Sequence, residues 1–462
     1  MQRSEMNQDV RIDPVAFPDR EVEAAFSLDK TAFQCGICLL CSTSPFSKTT
    51  PLSPVKIEFH NISYVMIRSD VEQRYQLKCL LVMKRKQSLY AVLAVIALLF
   101  TALCAVVVIP HEAISTSVRI TVPEAECQCA LNGEQYDFCY RLPPKAEVKG
   151  RRFDCEHINN LERLDLLSNK NALDFELQAL PEPPFVTAMS DNHFKEGRTL
   201  IANIRKNFPR KKIYVYDLGL KGTSLDELKG MCELEVRRFS FDDYPPYVRN
   251  LGEYRWKPLI IAETLNEFGA VWYMDTSVRW KKDKLKEVHS QVTCQKKHPR
   301  AEDIDLTNNS TTLSKKSAYL LHSSSGHGVF STTHPGVYTY IPTDVEMLKN
   351  KSENHDAGFA FVAKTTESME ILKWYVLCAL EKNCMAPPGA RLTCQFGSDR
   401  YTQFANCHRY DQSVINLLLS NAYGYNARNY VSSLGGDGAI IDRAANTKLT
   451  NKDFLCNGTI AS

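Results

Sequence analysis

The amino-acid sequence predicts an α/β fold built on a mixed, mainly parallel sheet with flanking helices. Between residues 185 and 280, apolar runs of strand length alternate with amphipathic segments of helix length, which is typical of βαβ units. Three of the apolar runs are followed closely by an aspartate. Because parallel strands joined by right-handed crossovers end at the same edge of a sheet, these carboxylates are expected on one rim. Open α/β sheets bind their ligands at that rim.

The clearest stretch is 254–280, which predicts a helix followed by a buried strand. Pro258 suits a first helical turn, and apolar side chains then recur at three-residue spacing. Gly269 can end the helix in a left-handed conformation. Ala270 to Met274 is a continuous apolar run, as expected of a strand covered on both faces. Asp275 follows directly, so it is predicted to contact a ligand; a turn residue or a helix cap is the alternative.

The segments before this stretch predict two strand–helix pairs and a third strand. The expected strands are Phe185 to Met189, Lys212 to Tyr216 and Glu233 to Phe239, and the expected helices are Phe194 to Asn207 and Ser224 to Met231. Ser224 and Glu227 match a capping box for the second helix. The later half is less regular. It predicts strands at Ala318 to His322 and Gly328 to Phe330, an apolar segment at Asp356 to Phe361, and helices at Ser368 to Leu380 and Asp411 to Leu419.

The chain is predicted to comprise four parts. Residues 1–88, rich in Pro, Ser and Thr over much of their length, would form a flexible tail. Residues 89–109 carry no charge and match the roughly 20 apolar residues that cross a bilayer, so they predict a transmembrane helix. Residues 110–183 would form a stem, including a helix at Asn160 to Leu180. Residues 184–462 would form the α/β domain.

Charges beside the apolar segment predict its orientation. Basic residues cluster before it, from Lys78 to Lys86, whereas Arg119 is the only strong base shortly after it. The positive-inside rule then makes the tail cytosolic and the C-terminal bulk lumenal or extracellular, which is a type II topology. Two explanations of this long tail stay open: either it carries sorting or regulatory information, or the start lies downstream, for example at Met66 or Met83.

Glycosylation sequons and cysteines agree with a lumenal C-terminal part. The sequons beyond the span begin at Asn308, Asn309, Asn350 and Asn457. Eleven of the sixteen cysteines also follow the span, in a compartment where disulfides persist. Eleven is odd, so at least one cysteine is free or pairs between chains; a stem cysteine that did so would give a disulfide-linked homodimer. The 56 basic and 53 acidic residues nearly balance, which argues against a nucleic-acid partner.

Several motifs taken together resemble one known family. VYDLGL, YRWKPLIIAETL, VWYMDTSVRW, HDAGFAFV and DQSVINLLL resemble a glycosyltransferase-like domain family of single-pass secretory-pathway proteins, known mostly as a domain of unknown function. That family is similar to the nucleotide-diphospho-sugar transferase superfamily, whose fold is the Rossmann-type GT-A fold. The resemblance covers roughly residues 184–462. It implies a hexosyltransferase-like enzyme of the Golgi or ER membrane that moves a sugar from a nucleotide-sugar donor to a glycan or protein acceptor.

The resemblance also implies a metal site. GT-A enzymes use a D-x-D motif to bind a divalent cation, usually Mn²⁺, and the donor diphosphate. The matching positions here read Asp275-Thr276-Ser277, so the second carboxylate is replaced by a serine. Either a further ligand comes from the later half, or basic side chains take the place of the metal. The candidate ligands are His327, His334, His355 and His408, and the candidate bases are Arg255, Lys257 and Arg279.

Further roles follow from the same resemblance. Asp411 and Gln412 match a D-Q-x-x-x-N pattern near the acceptor, where Asp411 would hold the acceptor hydroxyl or act as general base; a helix N-terminal residue is the alternative. Asp356 would shape the donor sugar pocket. Asp191 and Asp217 would meet the nucleoside, although Asp217 can instead fix the turn that it begins.

Two other functions compete with the transferase. A non-catalytic GT-A-like lumenal binding protein is favoured by Ser277, because a hydroxyl is a poorer ligand for a hard cation than a carboxylate. A cell-surface adhesion or receptor ectodomain is disfavoured by the carboxylates at the strand ends.

Overall fold

A computed structural model of the protein describes residues 124–293 and 316–456, all within one compact unit that spans 112–462. In these residues the strands are β1 (Gln128–Leu131), β2 (Glu134–Asp137), β3 (Phe185–Met189), β4 (Ile213–Asp217), β5 (Leu234–Arg238), β6 (Ala270–Met274), β7 (Val278–Trp280), β8 (Tyr319–Leu321), β9 (Ser324–Gly328), β10 (Glu353–His355), β11 (Phe359–Ala363) and β12 (Ala439–Ile441). The helices are α1 (Ile158–Arg163), α2 (Phe194–Asn207), α3 (Gly222–Lys229), α4 (Trp256–Phe268), α5 (Leu285–Thr293), α6 (Val345–Lys351), α7 (Thr366–Leu380), α8 (Lys382–Met385), α9 (Asp411–Ala422) and α10 (Gly435–Gly438).

A six-stranded mixed sheet forms the centre, in the order β5-β4-β3-β6-β11-β8. The strands β5, β4, β3 and β6 run parallel to one another. β11 runs antiparallel to both β6 and β8. The predicted α/β class with a mainly parallel sheet is therefore confirmed. Because β4, β3 and β6 point the same way, their carboxyl ends share one rim.

Helices cover both faces of this sheet. Side chains alternate across a strand, so Val186 and Ala188 of β3 join one core cluster while Phe185 and Met189 join the other. The first cluster includes apolar residues of α4, α7 and α9, and α7 packs against both of the others. The second includes apolar residues of α2 and α5. Burial on two faces explains why the strands are continuous apolar runs.

The predicted boundary between stem and domain does not separate two compact parts. Phe138, Tyr140 and Phe153 belong to the same core cluster as α4 and α7. The Tyr140 and Phe153 rings lie 5.5 and 5.9 Å from the Trp374 ring of α7. The described part of the predicted stem therefore packs as a component of the domain.

Five disulfide bonds join cysteines of the described residues. They link Cys127–Cys139, Cys129–Cys155, Cys232–Cys456, Cys378–Cys384 and Cys394–Cys407. The first two bridges lie within the predicted stem, whose four cysteines are Cys127, Cys129, Cys139 and Cys155. Because all four stem cysteines pair within the chain, the stem offers none for a link between chains. The eleventh cysteine, Cys294, lies outside the described residues.

The structure corrects three local predictions. The helix expected at Asn160 to Leu180 is only α1, because Asp165 takes a left-handed conformation (φ +55°) that ends it. The capping box at Ser224 is wrong, since Ser224 lies inside α3 and its hydroxyl donates to Asp191. A strand was expected at Gly328 to Phe330, but the observed strand β9 ends at Gly328 and a 3₁₀ turn begins at Phe330.

Other predictions fall on residues that the structure does not describe. The tail at 1–88, the span at 89–109 and the sequons at Asn308, Asn309 and Asn457 all lie outside it. Among residues 124–293 and 316–456, none of the helices combines the length and apolar character that crossing a bilayer requires. The remaining sequon begins at Asn350, which is exposed near the end of α6.

Candidate active site

Asp275 lies at the carboxyl end of β6, on the rim that the sequence predicted. Its N–H donates to the Gly358 carbonyl at 2.6 Å, and its Oδ1 accepts a hydrogen bond from the Tyr273 hydroxyl at 2.8 Å. A Cβ atom on Gly358 would lie 2.5 Å from Oδ2 of Asp275. The absence of a side chain at Gly358 therefore lets β11 approach the carboxylate this closely.

The Lys257 ammonium lies between two carboxylates. Its Nζ is 3.1 Å from Oδ2 of Asp275 and 2.6 Å from Oδ2 of Asp411. Lys257 belongs to the first turn of α4, and Asp411 is the first residue of α9. Elements that are far apart in the sequence thus meet in one ion-pair cluster. The side chains of Lys257 and Asp411 are 3% and 6% exposed, whereas that of Asp275 is 32% exposed.

This cluster keeps the lysine charged. Burial by itself lowers the pKa of Lys257, but Asp275 and Asp411 outweigh burial and raise that pKa above its ordinary value. A fixed positive charge therefore stands at the position where the sequence predicted a metal. Asp411 serves as its buried counter-ion, which differs from the predicted contact with an acceptor hydroxyl.

Two tyrosines beside this cluster have left-handed backbones. Tyr254 (φ +54°) precedes α4, and Tyr410 (φ +47°) precedes α9. Such conformations of non-glycine residues cost on the order of 1–3 kcal/mol and concentrate at functional sites. The Tyr254 ring centroid lies 5.4 Å from Lys257 Nζ, within the range of a cation–π contact. Neither tyrosine was identified from the sequence, because an irregular backbone leaves no periodic pattern.

Two adjoining cavities open on the rim, and we call them together the rim cleft. The first contains the Lys257 cluster, and the second extends over the carboxyl ends of β3 and β4. The first is lined by Tyr254, Lys257, Asp275, Ser277, Asp356, Ala357, Gly358, Leu392, Arg409, Asp411, Gln412, Ile441 and Arg443. The second is lined by Ala188, Met189, Ser190, Asn192, His193, Glu196, Leu218, Leu251, Gly252, Tyr254, Trp256, Asp275, Thr276, Ser277 and Arg443.

Arg409 and Arg443 are the basic residues that sequence reasoning missed. Both line the first cavity, and Arg443 also lines the second. The structure gives neither guanidinium a hydrogen bond or an ion pair within the described residues. Their donors are therefore available to a ligand. No local signal marks them, since one lies before α9 and the other in an irregular segment after β12.

Asp356 and Gln412 complete the first cavity. Asp356 accepts a hydrogen bond from the Ser325 hydroxyl at 3.3 Å, and burial raises its pKa above the ordinary value. The Gln412 amide donates to Ser325 and to Asn354, at 2.8 Å in each case. Gln412 therefore ties α9 to the segment that carries Asp356. The structure thus brings together Lys257, Asp275, Ser277, Asp356, Asp411 and Gln412 from the predicted set.

Arg255 and Arg279 do not face the cleft, so the prediction that they bind phosphate is corrected. The Arg255 guanidinium is buried and donates to the carbonyl groups of Ala379, Glu381 and Lys382, where α7 ends. Arg279 donates to Thr276 and to Ala444. The Arg255 guanidinium therefore satisfies carbonyl groups at a helix end, and that of Arg279 satisfies carbonyl groups of a turn and a loop.

The aspartates after β3 and in β4 also have structural roles. Asp191 accepts hydrogen bonds from Ser224 and from the Lys221 N–H, which fixes the start of α3. Asp217 accepts from the N–H groups of Gly219 and Leu220, so it fixes the turn, as the alternative prediction held. Neither lines the rim cleft.

The two residues after Asp275 point to different partners. The Thr276 hydroxyl donates to Glu196 at 2.7 Å, so it attaches this turn to α2. Ser277 lines both cavities.

The residues around Asp275 do not form the ligand set that a divalent cation requires. The four candidate histidines do not line the rim cleft, and buried His408, for example, has Nε2 3.1 Å from the Met385 carbonyl. Within the described residues, no group of three His, Cys, Asp or Glu ligand atoms gathers around Asp275. A cation bound to Oδ2 of Asp275 would also meet the Lys257 ammonium at close range. This donor set does not fit Mn²⁺.

Part of the chain matches a known family model. A family model described as "Protein of unknown function (DUF1647)" matches residues 125–262. This range begins in the predicted stem and ends within α4, so it includes Lys257 but precedes Asp275. No curated protein matches the chain.

Solved structures that are similar to this chain include glycosyltransferases. The apo structure of the bifunctional enzyme WbbM is 11% identical, with 57% of this chain and 40% of that chain covered and a TM-score of 0.30. The galactosyltransferase LgtC, in complex with donor and acceptor sugar analogues, is 14% identical, with 42% and 59% covered and a TM-score of 0.24. The glycosyltransferase GlyE of Streptococcus pneumoniae TIGR4 is 10% identical, with 52% and 44% covered and a TM-score of 0.28. The match thus spans about half of each of these chains, and TM-scores this low carry no argument about donor or acceptor.

Proposed function

We propose that this protein transfers a sugar from a nucleoside-diphosphate sugar to an acceptor hydroxyl. One observation carries the proposal. The rim cleft places Arg409 and Arg443, whose guanidinium groups make no hydrogen bond or ion pair within the described residues, beside a buried lysine at the carboxyl ends of parallel strands. Guanidinium groups match phosphate geometry, and such rims are the usual ligand sites of open α/β sheets.

Formal charge in the first cavity is balanced, so the arrangement of charges decides what binds. Lys257, Arg409 and Arg443 face three carboxylates, two of which are already paired with the lysine. The arginines therefore carry most of the donors that remain for an anion. A diphosphate fits them because it accepts several charge-assisted hydrogen bonds at once.

The second cavity is suited to the nucleoside. Leu218, Leu251 and Trp256 offer apolar contact, while Asn192 and His193 offer hydrogen-bonding groups. It joins the first cavity at Tyr254, Asp275, Ser277 and Arg443. In the proposed arrangement the base lies over the ends of β3 and β4, and the diphosphate extends toward Arg443.

The transfer breaks the bond between the anomeric carbon and the diphosphate oxygen and forms a bond to the acceptor oxygen. The nucleoside diphosphate leaves with the electron pair, and the three basic groups stabilise the developing charge. The acceptor hydroxyl gives its proton to Asp356. Asp356 suits this role because it is not paired with Lys257 and because burial raises its pKa. Asp411 positions Lys257 through their ion pair.

A secretory-pathway location belongs to the same proposal. The five disulfides support an oxidising compartment. A single-pass type II anchor at 89–109 in the Golgi or ER membrane would present the rim cleft to lumenal glycan or glycoprotein acceptors.

The proposal is tested with the purified full chain and a set of UDP-sugars and GDP-sugars, by measuring release of the nucleoside diphosphate. We expect release from one donor class. Asp356→Asn should reduce turnover by about 10²- to 10⁴-fold while donor binding persists. The exposed residue Asp226 supplies the control variant Asp226→Asn, which should match the unchanged protein. The absence of both release and binding for every donor would overturn the proposal.

A second candidate is a sugar-nucleotide or glycan binding protein without transferase activity. It is favoured by the engagement of Asp275 and Asp411 with Lys257, which occupies the two carboxylates that the sequence assigned to chemistry. Binding of a donor without release of its nucleotide would select this candidate.

A further inference from the structure

In the cluster of Lys257, Asp275 and Asp411, the protein itself holds a positive charge at a fixed position. In a sugar transferase of this type, a positive charge must stand near the leaving diphosphate, because that group gains negative charge as the glycosidic bond breaks. Here the carboxylate at the end of β6 holds an ammonium at 3.1 Å. A second carboxylate, from α9, holds the same ammonium at 2.6 Å.

The position of this ammonium is fixed from several sides. Lys257 is 2% exposed overall, and its Nζ lies 5.4 Å from the Tyr254 ring centroid and 5.8 Å from that of Tyr273. The chain therefore holds the charge in place before any ligand arrives. Preorganised charge is more effective in catalysis than charge that must be ordered during the reaction.

The ammonium also has access to the cleft. Lys257 lines the first cavity together with Arg409 and Arg443. An ammonium has three N–H donors, and the two carboxylates account for two of them. One donor remains for a further acceptor.

We propose that Lys257, held between Asp275 and Asp411, takes the place of the divalent cation, so that the protein binds its nucleoside diphosphate without metal. This inference rests on the proposed function and deepens it. Ser277 agrees with it, because a site without a metal has no need of the second carboxylate of a D-x-D motif. Asp275 and Asp411 then act as positioning residues for the lysine.

The test is equilibrium binding of UDP and GDP to the purified full chain, measured in EDTA and again with Mn²⁺. The dissociation constant of the preferred nucleotide is expected to differ by less than about 3-fold between the two conditions. Lys257→Met should weaken binding in EDTA by about 10- to 100-fold, as expected for the loss of a charged hydrogen-bonding partner. The exposed residue Lys229 provides the control Lys229→Met, which should bind like the unchanged chain.

Three results would overturn the inference or its premise, and they are distinguishable. Binding that EDTA abolishes and Mn²⁺ restores would show that a metal is needed. Metal-independent binding that survives Lys257→Met would remove the lysine from the site and leave the proposed function intact. A folded chain that binds neither nucleotide in either condition would contradict the proposed function itself.

A second variant keeps the test decisive if Lys257→Met does not fold. Removing the ammonium alone leaves the buried Asp411 carboxylate without its partner, which is strongly destabilising. The double variant Lys257→Met, Asp411→Leu removes both buried charges, and replacing a buried ion pair by apolar side chains of similar volume is often close to neutral. It should lose nucleotide affinity to the same extent as the single variant, and undiminished affinity would count against the inference.

Discussion

The two halves of the domain contribute to the rim cleft in different ways. Residues 185–280 form regular strand–helix pairs and supply Lys257 and Asp275 from an element start and a strand end. Residues 316–456 are less regular, and they supply Asp356, Arg409, Asp411 and Arg443. The first half provides a rim, and the second half provides most of the charged groups that face it. The site therefore exists only where the two halves meet.

The largest effect on the free energy of unfolding is expected from removing the disulfide that joins the two halves. Cys232 and Cys456 close a loop with a sequence separation of 224, whereas Cys378 and Cys384 are separated by 6. In the chain-entropy account, removing the long bridge by Cys232→Ala and Cys456→Ala should cost about 5 kcal/mol, and removing the short one about 2 kcal/mol. Denaturant unfolding of both double variants measures the difference, and equal losses would contradict this account.

Breaking the ion pair across the halves should have the next largest effect. Asp411→Ala removes the buried partner of Lys257 and should cost about 3–5 kcal/mol in the free energy of unfolding. Asp275→Ala should cost less, because its side chain is 32% exposed and water can replace part of the interaction. Urea unfolding of the two variants side by side checks this order. A larger loss of unfolding free energy for Asp275→Ala would contradict this prediction, because it would make Asp275 of the first half, and not Asp411, the main counter-ion of Lys257.

The close approach of β11 to Asp275 gives a smaller and more local prediction. Gly358→Ala would put a Cβ 2.5 Å from Oδ2 of Asp275, so it should cost about 1–3 kcal/mol and weaken nucleotide binding. Gly222→Ala is the matched control, because no atom lies within 4 Å of its added Cβ. We expect that control to be neutral or slightly stabilising. Calorimetric unfolding and nucleotide titration of both variants test this pair.

The second half should also make the protein sensitive to acid. Burial lowers the pKa of His408 to about 3, against about 6.5 in an unfolded chain. Between pH 6.5 and 3 the unfolded chain binds a proton at His408 that the folded chain does not, so the folded state loses stability as the pH falls through this range. Above pH 6.5 this loss is absent. At pH 5.5 this loss is about 1 kcal/mol. Unfolding free energies at pH 7.5 and 5.5 measure it, and His408→Gln should show a shallower decline; an equal slope would argue against a neutral buried imidazole.

What the sequence could predict follows the same division. The strands β3 and β6 and the helix α2 were predicted with the bounds that the structure shows, because apolar periodicity and Gly269 are local signals. Lys257 and Asp275 lie on such elements, so both could be named in advance. Arg409 and Arg443 could not, because only the fold brings their segments to the rim. Arg255 was misassigned because a basic residue that satisfies buried carbonyl groups looks the same in the sequence as one that faces a ligand.

The central claim is that basic groups of the second half bind a diphosphate at the rim of the first. It is tested most directly by isothermal titration of UDP and GDP into the full chain and into the double variant Arg409→Met, Arg443→Met. The exposed residue Arg210 supplies a control, Arg210→Met. Our account predicts that the unchanged chain and the control bind one nucleotide equally, and that the double variant binds it at least about 100-fold more weakly. Equal binding by all three proteins would contradict it.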